Sequence, residues 1–327
     1  MILTLEQIRA VALGIDRADM EGDLITLHRF TREQEEMYKV RNQDFYAKTF
    51  ATSGVMLEFD TDSSFLHLEF AVTRASSRTG FAHTVFVNGR VVGRVEGSLE
   101  PGAKNAPFGG SFDLGQGSKR VRVHFPWGAA SRIRKVELSD GSFLKAVPRR
   151  GKMLVFGDSI TQGYDASVPE KSYASQLIEH TGLDGINKAI GGEVFCPELA
   201  RLKDAFQPEV ITVAYGTNDW SKTDRQTFWT NSRLFYRALR ENYPQAKIYA
   251  LAPIWRADRD TDKPAGPFGD IPGLFASIVE EIGNAQLIDC IDFLPQDVHL
   301  YSDLRLHPND DGFAWYGKKL CQVIPKE

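Results

Sequence analysis

Met153-Leu154-Val155-Phe156-Gly157-Asp158-Ser159-Ile160-Thr161 is the stretch around which the chain is organised. Its four apolar residues read as a fully buried strand, Gly157 permits a sharp turn, and Asp158 and Ser159 are good N-cap residues for the pattern that follows. A strand that turns directly into a helix lifts one side chain onto the carboxyl edge of its sheet. Here that side chain is Ser159, with the backbone amides of a helix N-terminus beside it, where a developing anion is best stabilised. An ordinary capped turn reads the same way, so the decision rests on the rest of the chain.

From Lys152 onward strands and helices alternate. Residues 153–156, 185–189, 210–215, 247–251 and 286–288 are apolar strand candidates, with helical patterns such as 173–180, 227–242 and 313–323 between and after them. Such alternation predicts a parallel sheet with right-handed crossovers and helices on both faces, with the site at the carboxyl ends of the strands. Each strand-end loop is therefore inspected for chemistry.

The second strand leads into Ile190-Gly191-Gly192-Glu193, where the glycine pair allows close backbone approach and the Gly192 amide could join that of Ser159 in binding an oxyanion. The third ends in Gly216-Thr217-Asn218-Asp219, and the Asn218 amide is a neutral donor suited to the same task. Near the C-terminus, Ser302-Asp303-Leu304-Arg305-Leu306-His307-Pro308-Asn309 holds a histidine in a loop just before a proline, able to reach such a site. His180 falls late in a helix, where a favourable C-terminal interaction accounts for it, and His299 reads as a surface loop residue or a substitute base.

The first half reads as an all-β sandwich. Leu66, Leu68, Phe70 and Val72 alternate with His67 and Glu69, and Val121, Val123 and Phe125 with Arg120, Arg122 and His124. Between them, 85–87, Asn88-Gly89 and 91–92 form a hairpin with the turn that suits strand twist; 53–59 and 134–138 add shorter candidates. With little helical periodicity, this predicts a sandwich or jelly-roll-like module ending near Phe143, with a linker at 146–150. The boundaries follow as 1–148 for the module and 149–327 for the α/β part. His28, His67, His83 and His124 are scattered and read as exposed strand-face residues. The module is expected to pack against the second domain, shape one wall of its cleft, or mediate formation of a homo-oligomer.

At 327 residues, 42% hydrophobic and 25% charged, the composition is that of a globular protein of about two domains. The net charge of -4 and the lack of a long Lys/Arg block argue against nucleic acid or an anionic membrane surface as partner. Glu6 and Arg9 interrupt the N-terminal apolar stretch, no run approaches a membrane span, and Cys196, Cys290 and Cys321 are widely spaced. These features predict a cytoplasmic protein with reduced thiols.

Four loops in this order carry a resemblance. Gly157-Asp158-Ser159-Ile160-Thr161, Gly191-Gly192, Gly216-Thr217-Asn218-Asp219 and His307-Pro308-Asn309 make residues 151 to 324 similar to the SGNH, or GDSL-type, esterase and acylhydrolase superfamily. The preceding sandwich resembles that of two-domain carbohydrate esterases. The resemblance implies a flavodoxin-like three-layer domain, Ser159 as nucleophile, His307 as base, and an oxyanion hole of the Ser159 and Gly192 amides with the Asn218 side chain. It implies no metal and no other cofactor. Asp158 and Asp219 would support the loops.

The orienting carboxylate is open at this point: the family commonly places Asp three residues before the His, whereas Asp303 stands four before His307. Either Asp303 or a backbone carbonyl orients the imidazole. Tyr164, Trp220, Trp255 and Arg256 fall in loops after strands and are expected to line the cleft. The reading is an esterase that removes a short acyl group, acetyl, from a carbohydrate or related polyol. The alternatives are a metal-dependent phosphoesterase using Asp158, Asn218, Asp219 and His307, and a catalytically silent sugar-binding protein.

Overall fold

The stretch 153–156 forms the second strand of a five-stranded sheet in a computed structural model that describes residues 1–326. The sheet is wholly parallel, in the order Asp184–Asn187, Lys152–Gly157, Val210–Ala214, Lys247–Leu251, Ala285–Ile288. Met153 and Val155 face a core shared with Tyr173, Leu177, Phe313 and Leu320 of the helices Tyr173–Thr181 and Asp310–Val323. Leu154 and Phe156 face the opposite core, with Phe235 and Leu239 of Arg225–Asn242 and Phe275 and Ile278 of Ile271–Ile282. A strand covered on both faces must be apolar at every position, which is why the stretch does not alternate.

The chain leaves Lys152–Gly157 to one side, for Asp184–Asn187, and then crosses to the other, for Val210–Ala214. That reversal opens a crevice at the carboxyl end of Lys152–Gly157, where Ser159 stands.

The first half is a sandwich of two antiparallel sheets. One runs Arg17–Glu21, Leu24–His28, Ala129–Leu138, Phe65–Arg74, Ala106–Asp113; the other runs Ala12–Leu13, Met56–Thr61, Lys119–His124, Gly80–Val87, Arg90–Ser98. Leu66, Leu68, Phe70 and Val72 meet Leu57, Phe59, Val121 and Val123 between the sheets, the interdigitation that the alternating pattern requires. The hairpin turns at Asn88 and Gly89, with Val87 paired to Arg90.

Three expectations are corrected. Three helices, Leu5–Val11, Arg32–Arg41 and Gln43–Thr49, lie in a half expected to show little helix. Arg32–Arg41 has only Met37, Tyr38 and Val40 as apolar residues, too few for an apolar stripe; it is held by a Thr31/Gln34 capping box, by the buried contacts of Gln34 and Glu35, and by Met37 and Tyr38 against the core. The expected linker begins inside a strand, since Lys145–Ala146 pairs with Asp60 and Phe59. Of the four histidines expected at the surface, His28, His83 and His124 are buried. His83 stacks on Phe70 with centroids 3.9 Å apart and bonds Ser131 Oγ at 2.7 Å, and burial pushes its imidazole down to about 3.

His180 Nε2 meets the Ile324 carbonyl at 3.1 Å, and exposed His299 lends its carbonyl to Asn309. Cys196, Cys290 and Cys321 are free thiols, and among the described residues no helix is long and apolar enough to cross a membrane.

Candidate active site

Gly157 ends its strand where only glycine fits, because a Cβ there would lie 2.1 Å from Thr161 Oγ1. Asp158 caps the four-residue helix Ser159–Gln162, its Oδ1 accepting the Ile160 amide at 3.0 Å. Burial pushes the Asp158 carboxyl up to about 7. Ser159 itself is 7% exposed, enough for its hydroxyl to open into the crevice.

Ser159 Oγ lies 2.9 Å from His307 Nε2, and His307 Nδ1 lies 2.8 Å from Asp303 Oδ2. The second oxygen of Asp303 accepts the backbone amides of Arg305, Leu306 and His307 at 3.1, 2.7 and 3.1 Å. Burial opposes ionisation of Asp303, but these amides and the imidazole outweigh it and hold the carboxyl down at about 2. An ionised Asp303 requires the proton on Nδ1 and leaves the Nε2 lone pair facing Oγ. The extra residue before His307 is absorbed at Leu304, which takes φ +54. Bulky side chains rarely adopt that conformation, and here it curls the loop so that one carboxylate gathers three amides. Tyr164 stacks beside the imidazole, ring centroids 5.8 Å apart, and is backed by Trp127 at 5.1 Å.

Across the crevice, the Gly191 amide donates to Gln162 Oε1 at 2.7 Å, tying the glycine turn to the helix that begins at Ser159. Gly192 sits at φ +92, and its amide donates to no described residue. Asn218 donates one N–H to the Glu193 carbonyl at 3.0 Å, leaving its second N–H available. Asp219 joins the two loops by accepting the Phe195 and Gly216 amides at 2.9 and 3.2 Å. Burial raises its carboxyl to about 7.

The structure therefore brings Ser159, His307 and Asp303 into one hydrogen-bonded chain and sets the Gly192 turn beside Asn218, in the first turn of the helix Thr217–Lys222. It does not bring the expected cleft aromatics together. Trp220 is fully buried, its Nε1 donating to Gly266 O at 2.8 Å and its ring beneath the Arg256 guanidinium. Arg256 spends its donors on Asp258 and Thr217, and Trp255 packs on Tyr301 in the core. Of that set, only Tyr164 stacks directly on His307. Of the four donors of the metal reading, Asp158, Asp219 and His307 are engaged as described, and among the described residues no group of three or more His, Cys, Asp or Glu could hold a metal ion.

Residues of the first half, expected to shape one wall of the cleft but not named individually, reach the site. Arg78 grips Asp165 through two bonds of 2.6 and 2.9 Å and lies over the Tyr164 ring. Ser53 Oγ donates to the Gln162 carbonyl at 2.6 Å, and Arg29, Arg41 and Lys48 bond to the segment 187–193. The Thr31-x-x-Gln34 spacing was the available signal for the helix that carries Arg41.

Residues 155–315 match the GDSL-like lipase/acylhydrolase family. No curated protein matches the chain in sequence at a significant level. Among solved structures, the salicylyl-acyltransferase SsfX3 from a tetracycline biosynthetic pathway is similar over 97% of this chain and 96% of that one, with TM-score 0.82 and 20% identity. A protein of Bacteroides ovatus described as a GDSL-like lipase gives 0.77 and 19% over 99% and 96%. A family two carbohydrate esterase from Cellvibrio japonicus gives 0.66 and 18% over 96% and 94%. At these identities the likeness is one of fold, and it extends across both halves. The family match identifies residues 155–315 of this chain as a GDSL-like lipase/acylhydrolase domain, of the SGNH serine hydrolase type.

Proposed function

We propose that the protein is a serine esterase that releases a short acyl group, acetyl, from a carbohydrate or related polyol. The observation that carries the reading is the unbroken chain from Ser159 Oγ through His307 to an ionised Asp303. In this reading Ser159 Oγ attacks the ester carbonyl while His307 Nε2 takes its proton. The Ser159 and Gly192 amides and the free N–H of Asn218 hold the oxyanion. Collapse expels the alcohol, which leaves with the proton from Nε2, and water repeats both steps to free the acid and Ser159. Asp303 stabilises the imidazolium in each half.

The carbohydrate is supported by the two-domain likeness to family two carbohydrate esterases. A second reading, transfer of the acyl group to an alcohol, is favoured by the likeness to an acyltransferase; it shares the acyl-enzyme and differs only in what displaces it.

The test is acetate release from an acetylated oligosaccharide by wild type and Ser159→Ala, with chelator present. Turnover lost only in the folded mutant supports the esterase. Equal rates sink it, as does a steep preference for octanoyl over acetyl esters. Acetyl passing to an added alcohol faster than to water moves the assignment to the transferase.

A further inference from the structure

The segment 187–193 is held from outside its own domain. Arg29, fully buried, donates to the carbonyls of Asn187 and Ala189, and Arg41 bonds the buried Glu193 carboxylate at 2.8 Å. Lys48 Nζ donates to the Gly191 carbonyl at 2.9 Å. This last contact falls on the peptide that joins Gly191 to Gly192.

A trans peptide is planar, with its carbonyl and its N–H pointing in opposite directions. Fixing the Gly191 oxygen on Lys48 therefore turns the Gly192 N–H away from Lys48. Such fixing is needed because neither flanking residue has a Cβ to resist rotation of the plane, and Gly192 already stands at φ +92. Lys48 is itself restrained: its side chain is 12% exposed, its Nζ bonds Asp44 at 2.5 Å and lies 5.3 Å from the Phe45 ring centre. A cation on the carbonyl also polarises the peptide and strengthens its N–H as a donor.

We propose that Lys48 is a positioning residue for the oxyanion hole, acting through the Gly191–Gly192 peptide to aim the Gly192 amide at the carbonyl that Ser159 attacks. The inference rests on the esterase reading above. Lys222 does not share the role, although it donates to the next carbonyl, that of Gly192, at 2.8 Å. The N–H of that next peptide, on Glu193, is already spent on Ile190 O at 3.1 Å. The oxyanion donor and the carbonyl that Lys48 holds belong to one rigid plane, and this is why a residue of the first half governs it.

The experiment compares kcat and KM for 4-nitrophenyl acetate in wild type, Lys48→Met, Lys48→Arg and Ser159→Ala, with folding checked by circular dichroism and thermal midpoint. Methionine keeps the apolar stem on Phe45 and removes only the donor. The expected result is a kcat lowered about 10- to 100-fold in Lys48→Met, less than the about 100- to 1000-fold loss of a deleted donor. KM stays within about twofold and Lys48→Arg recovers most of the rate. An unchanged kcat in folded Lys48→Met overturns the proposal, and so does a rise in KM alone, which would place Lys48 against substrate. Full turnover in Ser159→Ala would instead overturn the esterase reading itself.

Discussion

Asp303 holds His307 at two points, taking its backbone amide at 3.1 Å on one oxygen and its Nδ1 at 2.8 Å on the other. The same residue that sets the tautomer thus also sets where the ring stands. Asp303→Asn keeps the shape but can present an N–H to Nδ1, which favours the wrong tautomer. We expect kcat to fall about 10,000-fold with folding intact. Near-normal turnover of the folded variant would remove Asp303 from the site's chemistry.

Leu304 bears the conformational cost of that grip. At φ +54, a β-branched residue is more strained than leucine, whereas asparagine tolerates the left-handed region. Leu304→Val should therefore lower both thermal midpoint and kcat, the latter about tenfold or more as the 303–307 loop opens. Leu304→Asn should retain both. Equal behaviour of the two variants would show that the loop's curl does not depend on this residue.

Asp158 and Asp303 impose opposite pH slopes on stability. Asp158 is raised to about 7 in the folded state from an ordinary 3.8, so between those values the native state holds a proton that the unfolded state has lost. Its contribution falls as pH rises through that window. Asp303, lowered to about 2, contributes stability that is present above 3.8 and lost as pH falls toward 2. Asp158→Asn, which keeps the N-cap, should raise the thermal midpoint at pH 8 and converge on wild type near pH 4. A constant difference across that range would contradict the assignment.

The pair of Lys188 and Asp204 is wholly buried, with Nζ 2.5 Å from Oδ1, and Nζ also bonds Gln34. Removing one charge leaves the other uncompensated in the interior. Lys188→Met should cost about 3–5 kcal/mol in urea unfolding, and Lys188→Met with Asp204→Leu markedly less. A double variant as unstable as the single would mean that the pair is not what the site requires.

What could be read from the sequence and what could not separate along a physical line. The residues at 153–159 are legible because a doubly covered strand, a glycine without room for Cβ and an N-cap each demand a narrow residue type. Glycine, asparagine and histidine at strand ends are legible as loop chemistry for the same reason. Trp220 and Arg256 misled because position after a strand says nothing of whether a side chain turns inward; here Arg256 closes on Thr217 and covers the indole. The helix Arg32–Arg41 stayed hidden because its buried face is Gln34, Glu35 and Tyr38, of which Gln34 finds its partners in Lys188 and Leu202, far along the chain.

The contacts that Arg29, Arg41 and Lys48 make to 187–193 span 158, 152 and 143 residues of chain. Loops of that length close late, after the local helices and the hairpins have formed. A chain that has regained its secondary structure would therefore still lack a finished site until its two halves meet. On refolding, the recovery of turnover should trail the recovery of ellipticity, and the delay would time the docking of the halves.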